Sequence, residues 1–284
     1  MAQSRKHEAY WRLALLAALG LATALPFFWM LGASFKTRPE AETPALLPTE
    51  PTAQNYPVVL DAAPDPVTGK FLGLRFGRWY FNTAFVAFAT TALQVFTSAL
   101  AAYAFSRIRW RGRDTVFLLY LATLMVPGVV TMIPNFQIMA ALGMLNTYHG
   151  LILPAAFTAF GTFLLRQFML SIPKALDEAA SIDGAGHWRI FWDVALPLAR
   201  PGLVALAIVT FLGNFQSFFW PLVMLYREDY YPLSIGLLSL DGQYGRQTEL
   251  IMAATVMNVI PLIAIFAAFQ KFLVKGIMLG GVKG

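Results

Sequence analysis

Six stretches of the chain stay apolar for the length of a membrane crossing, and the charged residues are confined to the segments between them. Residues 13–35, bounded by Arg12 and Lys36, hold no charge over 23 positions. A helix of that length, at about 1.5 Å per residue, exceeds a hydrocarbon core of roughly 30 Å. Further crossings are predicted near 81–105, 116–133, 149–166, 202–225 and 250–270. The charge-free run 115–165 is 51 residues, too long for one crossing. The polar stretch 134–150, with Asn135, Gln137, Asn146, Thr147 and His149, divides it into two. The pattern predicts an all-α integral membrane protein of six transmembrane helices forming a single transmembrane domain, 1–284. The first apolar run is longer than the usual h-region of a signal peptide and is expected to be a retained crossing.

Composition agrees with this pattern. The 284 residues are 58% hydrophobic and 13% charged, about half the roughly 25% charge of a soluble domain. A soluble enzyme, a disordered chain and a disulfide-stapled domain are thereby excluded. With no cysteine there is no disulfide, thiolate metal site or thiol nucleophile to consider. If both termini are cytoplasmic, fourteen Lys and Arg fall on the inner side and seven on the outer, which sets the orientation. The net charge of +6 then belongs to the inner membrane face, and no nucleic-acid-binding constellation accompanies it.

No Asp, Glu, Lys or Arg lies inside a predicted crossing, Arg166 standing at the very end of one, which argues against a proton- or ion-coupled carrier. Prolines occur in five of the six runs, at Pro26, Pro127, Pro154, Pro221 and Pro261. Membrane helices tolerate proline, but five together favour bent, mobile helices. Uncharged polar residues Asn214, Gln216, Ser217 and Asn258 suit a neutral hydroxylated solute or, alternatively, hydrogen bonds between helices. There is no HExxH, G-x-S-x-G or Walker A sequence. The three histidines are far apart, His7 and His187 outside the crossings and His149 at the edge of one. No catalytic residue and no metal site is expected, and any energy source lies outside this chain.

The segment 171–201 is patterned unlike a flexible linker. Ser171-Ile-Pro173 can open a helix, Asp177 and Glu178 favour its N-terminal end, and Ala179 and Ala180 give it a smooth face. Gly184 and Gly186 supply a turn. A second helix is predicted to follow, with Trp188, Phe191, Trp192 and Ala195 as a stripe along the membrane interface or against the bundle. Pro197 and Pro201 close it.

Glu178-Ala179-Ala180, three residues, Gly184, nine residues, Val194 and then Leu196-Pro197 resembles the EAA loop of ABC-importer permeases, with Val194 in place of isoleucine. Other segments are similar to the MalG-like carbohydrate permeases of type I importers. These are Thr52-Ala53-Gln54-Asn55-Tyr56 in the outer loop 36–80, Asn82-Thr83, Ala101–Arg107 with Arg111-Gly112-Arg113, and the terminus Gly280–Gly284.

The resemblance implies a permease subunit of a binding-protein-dependent importer in a bacterial or archaeal cytoplasmic (inner) membrane. It implies a MalF-like second permease, an ATPase dimer carrying ATP and Mg, an extracytoplasmic substrate-binding protein and surrounding lipid. By the match, Glu178, Ala179, Ala180, Asp183, Gly184, Ala185, Leu196 and Pro197 would couple to the ATPase, Glu178 through a basic group there. Gly281, Val282 and Lys283, in the tail 271–284, would reach the ATPase interface. A neutral sugar is the expected cargo. A polyol or glycerol phosphate on the same machinery, or an ATP-independent secondary carrier, are the alternatives.

Overall fold

The computed structural model describes the backbone of residues 2–243 and 247–281, and the side chains of 11–238, 240 and 247–270. Among the described residues the secondary structure is wholly helical. Three helices are long and apolar enough to cross a membrane: Trp11–Ser34, Phe76–Ser106 and Thr248–Gln270. Three bent pairs reach the same length only together. Arg113–Met125 with Gly128–Ala141 bends by 98°, Tyr148–Ala155 with Ala159–Ser171 by 47°, and His187–Leu198 with Arg200–Phe215 by 75°. The first of these breaks falls at Pro127, where a missing N–H and a fixed φ interrupt the helix ladder. The crossings therefore number between three and six, depending on how each pair is counted.

The chain divides into two compact units. One comprises residues 1–77 with 236–261, the other 78–235 with 262–284.

In the first unit, polar side chains finish helix ends that apolar packing cannot. The first helix stops at Ser34, and its last carbonyls are left without helical partners. Asn55 Nδ2 donates to the carbonyls of Ser34 and Lys36, at 2.9 and 2.8 Å. The Thr52 N–H reaches the Phe35 carbonyl at 2.8 Å, and the Tyr56 and Ser34 hydroxyls pair at 2.8 Å. Lys36 is fully buried, and its ammonium donates to the carbonyls of Thr43 and Ala45. Arg38 joins two further segments, its Nε to Glu249 at 2.8 Å and its Nη2 to Asp65 at 3.1 Å.

Burial raises the Asp65 pKa, but the Val67 N–H, the Thr68 hydroxyl and the Arg38 charge together outweigh it and hold the carboxyl below the usual range. A carboxyl depressed in the folded state contributes stability at pH values above its unfolded pKa of about 3.9 and loses it as pH falls through the folded value. Thermal melts of the solubilised protein should therefore hold level down to about pH 4 and then fall. Asp65→Asn should lower the neutral-pH plateau and flatten that acid limb; an unchanged limb would show that Asp65 does not set it.

Candidate functional site

The segment singled out by its spacing folds as a short acidic helix, a glycine turn and a second, irregular helix. Ala175–Ile182 begins just after Pro173 and carries Asp177 and Glu178 in its first turn. It ends in a paired carbonyl cap. The Gly184 N–H donates to the Ser181 carbonyl at 3.1 Å and the Ala185 N–H to the Ala180 carbonyl at 2.9 Å, with Gly184 at φ +81°. That left-handed conformation is open to glycine and strained for other residues. A Cβ at Gly184 would meet no atom within 4 Å, so the turn projects clear of the rest of its own chain.

Of the residues expected there, Glu178, Ala179, Asp183, Gly184 and Pro197 are exposed, while Ala180, Ala185 and Leu196 are half-buried and pack on the core beneath. Glu178 makes no ion pair among the described residues, unlike its neighbour Asp177. Gly281 is the last residue of the helix Thr248–Gly281; Val282 and Lys283 lie outside the described residues.

The second helix departs from the regular stripe. His187–Ile190 runs into a π-helical stretch, Phe191–Ala195, and then Leu196–Leu198. Pro197 has no N–H to return to the preceding turn, and the widened stretch accommodates the lost bond. The stripe is divided as a result. Phe191 and Ala195 are buried against Ala102, Tyr103, Leu165, Met169 and Leu206, whereas Trp188 and Trp192 stay 62% and 46% exposed.

What fixes this loop is Arg107, which the sequence reading places in the Ala101–Arg107 resemblance without giving it a partner. Arg107, at the end of the helix Phe76–Ser106, is 4% exposed and pairs through Nη1 with Asp177 Oδ2 at 2.9 Å. Its Nη2 donates to the carbonyls of Met169 and Ile172, the last groups of the helix Ala159–Ser171. One guanidinium thus ties three segments together. Tyr103, one turn earlier, donates its hydroxyl to the His187 carbonyl at 3.0 Å. The available signals were its place in the resembling segment Ala101–Arg107 and its position directly at the end of a membrane-length helix. Beside it runs an open groove of about 600 Å³ lined by Arg109, Lys174, Asp177 and Glu178 among others. It bears both signs of charge, as a polar protein contact would.

A separate cavity of about 210 Å³ lies wholly within the second unit. Its polar lining is Thr83, Thr90, Asn135, Asn214 and Ser217, and no Asp, Glu, Lys, Arg or His borders it. Trp220 contributes its ring, held by an Nε1–H donation to the Gly150 carbonyl at 3.0 Å. Gly150 is needed there, because a Cβ would fall 2.2 Å from the Met144 carbonyl oxygen. Two of the four predicted path residues, Asn214 and Ser217, therefore share one space. Gln216 is exposed and outside the lining. Asn258 belongs to the first unit, where its Oδ1 is buried without a partner. No group of three or more His, Cys, Asp or Glu that would hold a metal occurs among the described residues.

Comparison with known proteins gives a consistent answer. A family model described as the binding-protein-dependent transport system inner membrane component matches residues 94–278. An arabinooligosaccharides transport permease of Halalkalibacterium halodurans is 38% identical over 206 residues, covering 72% of this chain and 74% of that protein. An sn-glycerol-3-phosphate transport permease of Yersinia enterocolitica is 38% identical over 205 residues, covering 72% and 73%. A lactose transport permease of Rhizobium radiobacter is 34% identical over 204, covering 72% and 74%. Among solved structures, a bacterial ABC transporter involved in the import of the acidic polysaccharide alginate superposes with a TM-score of 0.82. It is 25% identical, over 94% of this chain and 97% of that one.

Proposed function

Because the chain belongs to the family of binding-protein-dependent transport system inner membrane components, we propose that the acidic helix and its Gly184 turn are the point at which a separate motor acts. The chain is a permease subunit of an ABC importer for sugars, and ATP hydrolysis belongs to other subunits. We read six crossings, near 13–35, 81–105, 116–133, 149–166, 202–225 and 250–270, in a single permease domain, with 171–201 as the loop between the fourth and fifth. Both ends are cytoplasmic, by the fourteen-to-seven distribution of Lys and Arg, in the inner membrane of a bacterium or archaeon. The partners are a MalF-like second permease, an ATPase dimer that binds ATP and Mg, and an extracytoplasmic solute-binding protein.

The observation that carries this reading is the contrast between Asp177 and Glu178. Asp177 is committed to Arg107 inside the protein, while Glu178 stands exposed without an ion pair among the described residues on the same turn. It is therefore available to a basic group of the ATPase. Ala179 leaves the helix face low enough for close approach, and Asp183, Gly184 and Ala185 shape the turn that follows. Leu196 and Pro197 end the second helix at the bend. The tail at Gly281, Val282 and Lys283 is the second contact with the ATPase pair. Asn214 and Ser217 are the residues we place on the solute path.

Glycerol phosphate is the competing cargo, favoured by the glycerol-3-phosphate relative. It would call for a cation beside the path, and the cavity has none.

The chain has no cysteine, so Glu178→Cys introduces a unique thiol. Cross-linking from that thiol in the complex isolated in mild detergent should capture the nucleotide-hydrolysing subunit. ATPase activity of the unsubstituted complex should rise with the loaded binding protein. A thiol that reacts only with reagents confined to the outside, or a complex without an ATPase, would remove the reading.

A further inference from the structure

The cavity within the second unit has the chemistry of a binding site. Its polar groups fall into two sets. Thr83 is fully committed: its hydroxyl donates to the Trp79 carbonyl and accepts the Leu233 N–H. The Asn214 amide nitrogen gives its hydrogens to Thr91 at 3.2 Å and Gln94 at 3.1 Å. That fixes the side chain and leaves Oδ1 as an acceptor.

The other set is uncommitted. The side chains of Asn135 and Ser217 make no hydrogen bond among the described residues, and the Thr90 hydroxyl is buried without a partner. A buried polar group without a partner is costly, and the Thr90 hydroxyl shares its space with the half-buried Asn135 and Ser217. Moving Thr90 between staggered χ1 wells exchanges its methyl and hydroxyl positions at little change in shape.

The remaining wall is apolar and stiff. The Trp220 ring is held by its bond to Gly150, and Pro154, Pro221 and Pro232 stand beside it. An anchored aromatic ring in the same lining as uncommitted amide and hydroxyl groups suits a sugar ring, which presents C–H groups on its faces and hydroxyls around its edge. A volume of about 210 Å³ gives room for a six-membered ring. The wholly uncharged lining gives a carboxylate or phosphate nothing to replace its hydration.

The geometry points to a solute subsite in this chain itself, taking a neutral sugar unit through Asn135, Asn214 and Ser217, with Trp220 as its platform. It rests on the importer reading, and goes further in naming where the solute sits and in what charge state.

The test uses the complete complex in proteoliposomes with its binding protein and internal ATP. Uptake of neutral sugars is compared with that of sn-glycerol 3-phosphate and galacturonate, and complex recovery and Tm are followed for each variant. Wild type should import a neutral sugar and neither anion. Ser217→Ala and Asn135→Leu should each reduce uptake by about tenfold, as loss of a ligand hydrogen bond does. Ser217→Trp, which fills the space, should stop uptake in an assembled complex. Wild-type uptake by an assembled Ser217→Trp or by both smaller variants would overturn the subsite, as would import of only the anions. Either result with ATP-driven uptake intact leaves the importer reading standing; absence of any ATP-driven uptake in the wild type overturns both.

Discussion

Replacing Gly184 with proline should abolish ATP-driven uptake while leaving the helices inserted and the apolar core closed. Gly184 stands at φ +81°, and proline is held near −65°, so the turn cannot keep its course. The substitution also removes the N–H that closes onto the Ser181 carbonyl. No core residue touches a Cβ at this position, so the damage stays within the loop. Gly184→Ala should be intermediate, because alanine bears only the left-handed penalty of about 1–2 kcal/mol. Glu178→Lys separates shape from charge: the helix remains and the contact sign reverses. It should lower ATPase recovery with the complex or the stimulation of hydrolysis by the loaded binding protein. Wild-type uptake from either Gly184→Pro or Glu178→Lys would refute the coupling role.

Arg107→Met should be the most destabilising single change near the loop. The guanidinium is 4% exposed and bonded to Asp177 and to two carbonyls. Removing it strands a largely buried carboxylate and two helix-terminal carbonyls, a loss of about 3 kcal/mol. Arg107→Lys keeps the charge without the fork and should rescue little. The expected signs are a lower Tm in detergent and faster tryptic cleavage at exposed Lys174, with the long helices still protected. If Arg107→Met cleaves and melts like wild type, the guanidinium is not what holds the acidic helix in place.

Much of the architecture could be read in advance because membrane solvation writes it into the chain as apolar runs, and the acidic loop because its spacing is local. Arg107 could not be paired in advance, since Asp177 lies 70 residues away and an arginine at a helix end is expected for orientation alone. The Trp188–Ala195 stripe follows from 3.6 residues per turn, whereas the π-helical stretch Phe191–Ala195 changes the period and sends the two tryptophans outward. The cavity was half visible. Asn214 and Ser217 are close in sequence, but Asn135 and Trp220 reach it only through tertiary folding. The segments shared with the MalG-like permeases turn out to be joinery. Asn55 caps the first helix, Asn82 holds the carbonyls of Asp229 and Tyr231, and Tyr103 and Arg107 anchor the acidic loop.

The 75° bend between His187–Leu198 and Arg200–Phe215 makes the latter a lever. One end adjoins the loop proposed above to receive the push, and Asn214 on the cavity wall is near the other end. The arm between Arg200 and Asn214 is about 21 Å at 1.5 Å per residue, so a tilt of roughly 10° swings the amide by about 4 Å. That travel exceeds the reach of a hydrogen bond. A nudge at the elbow is thereby geared into letting go of whatever the amide holds.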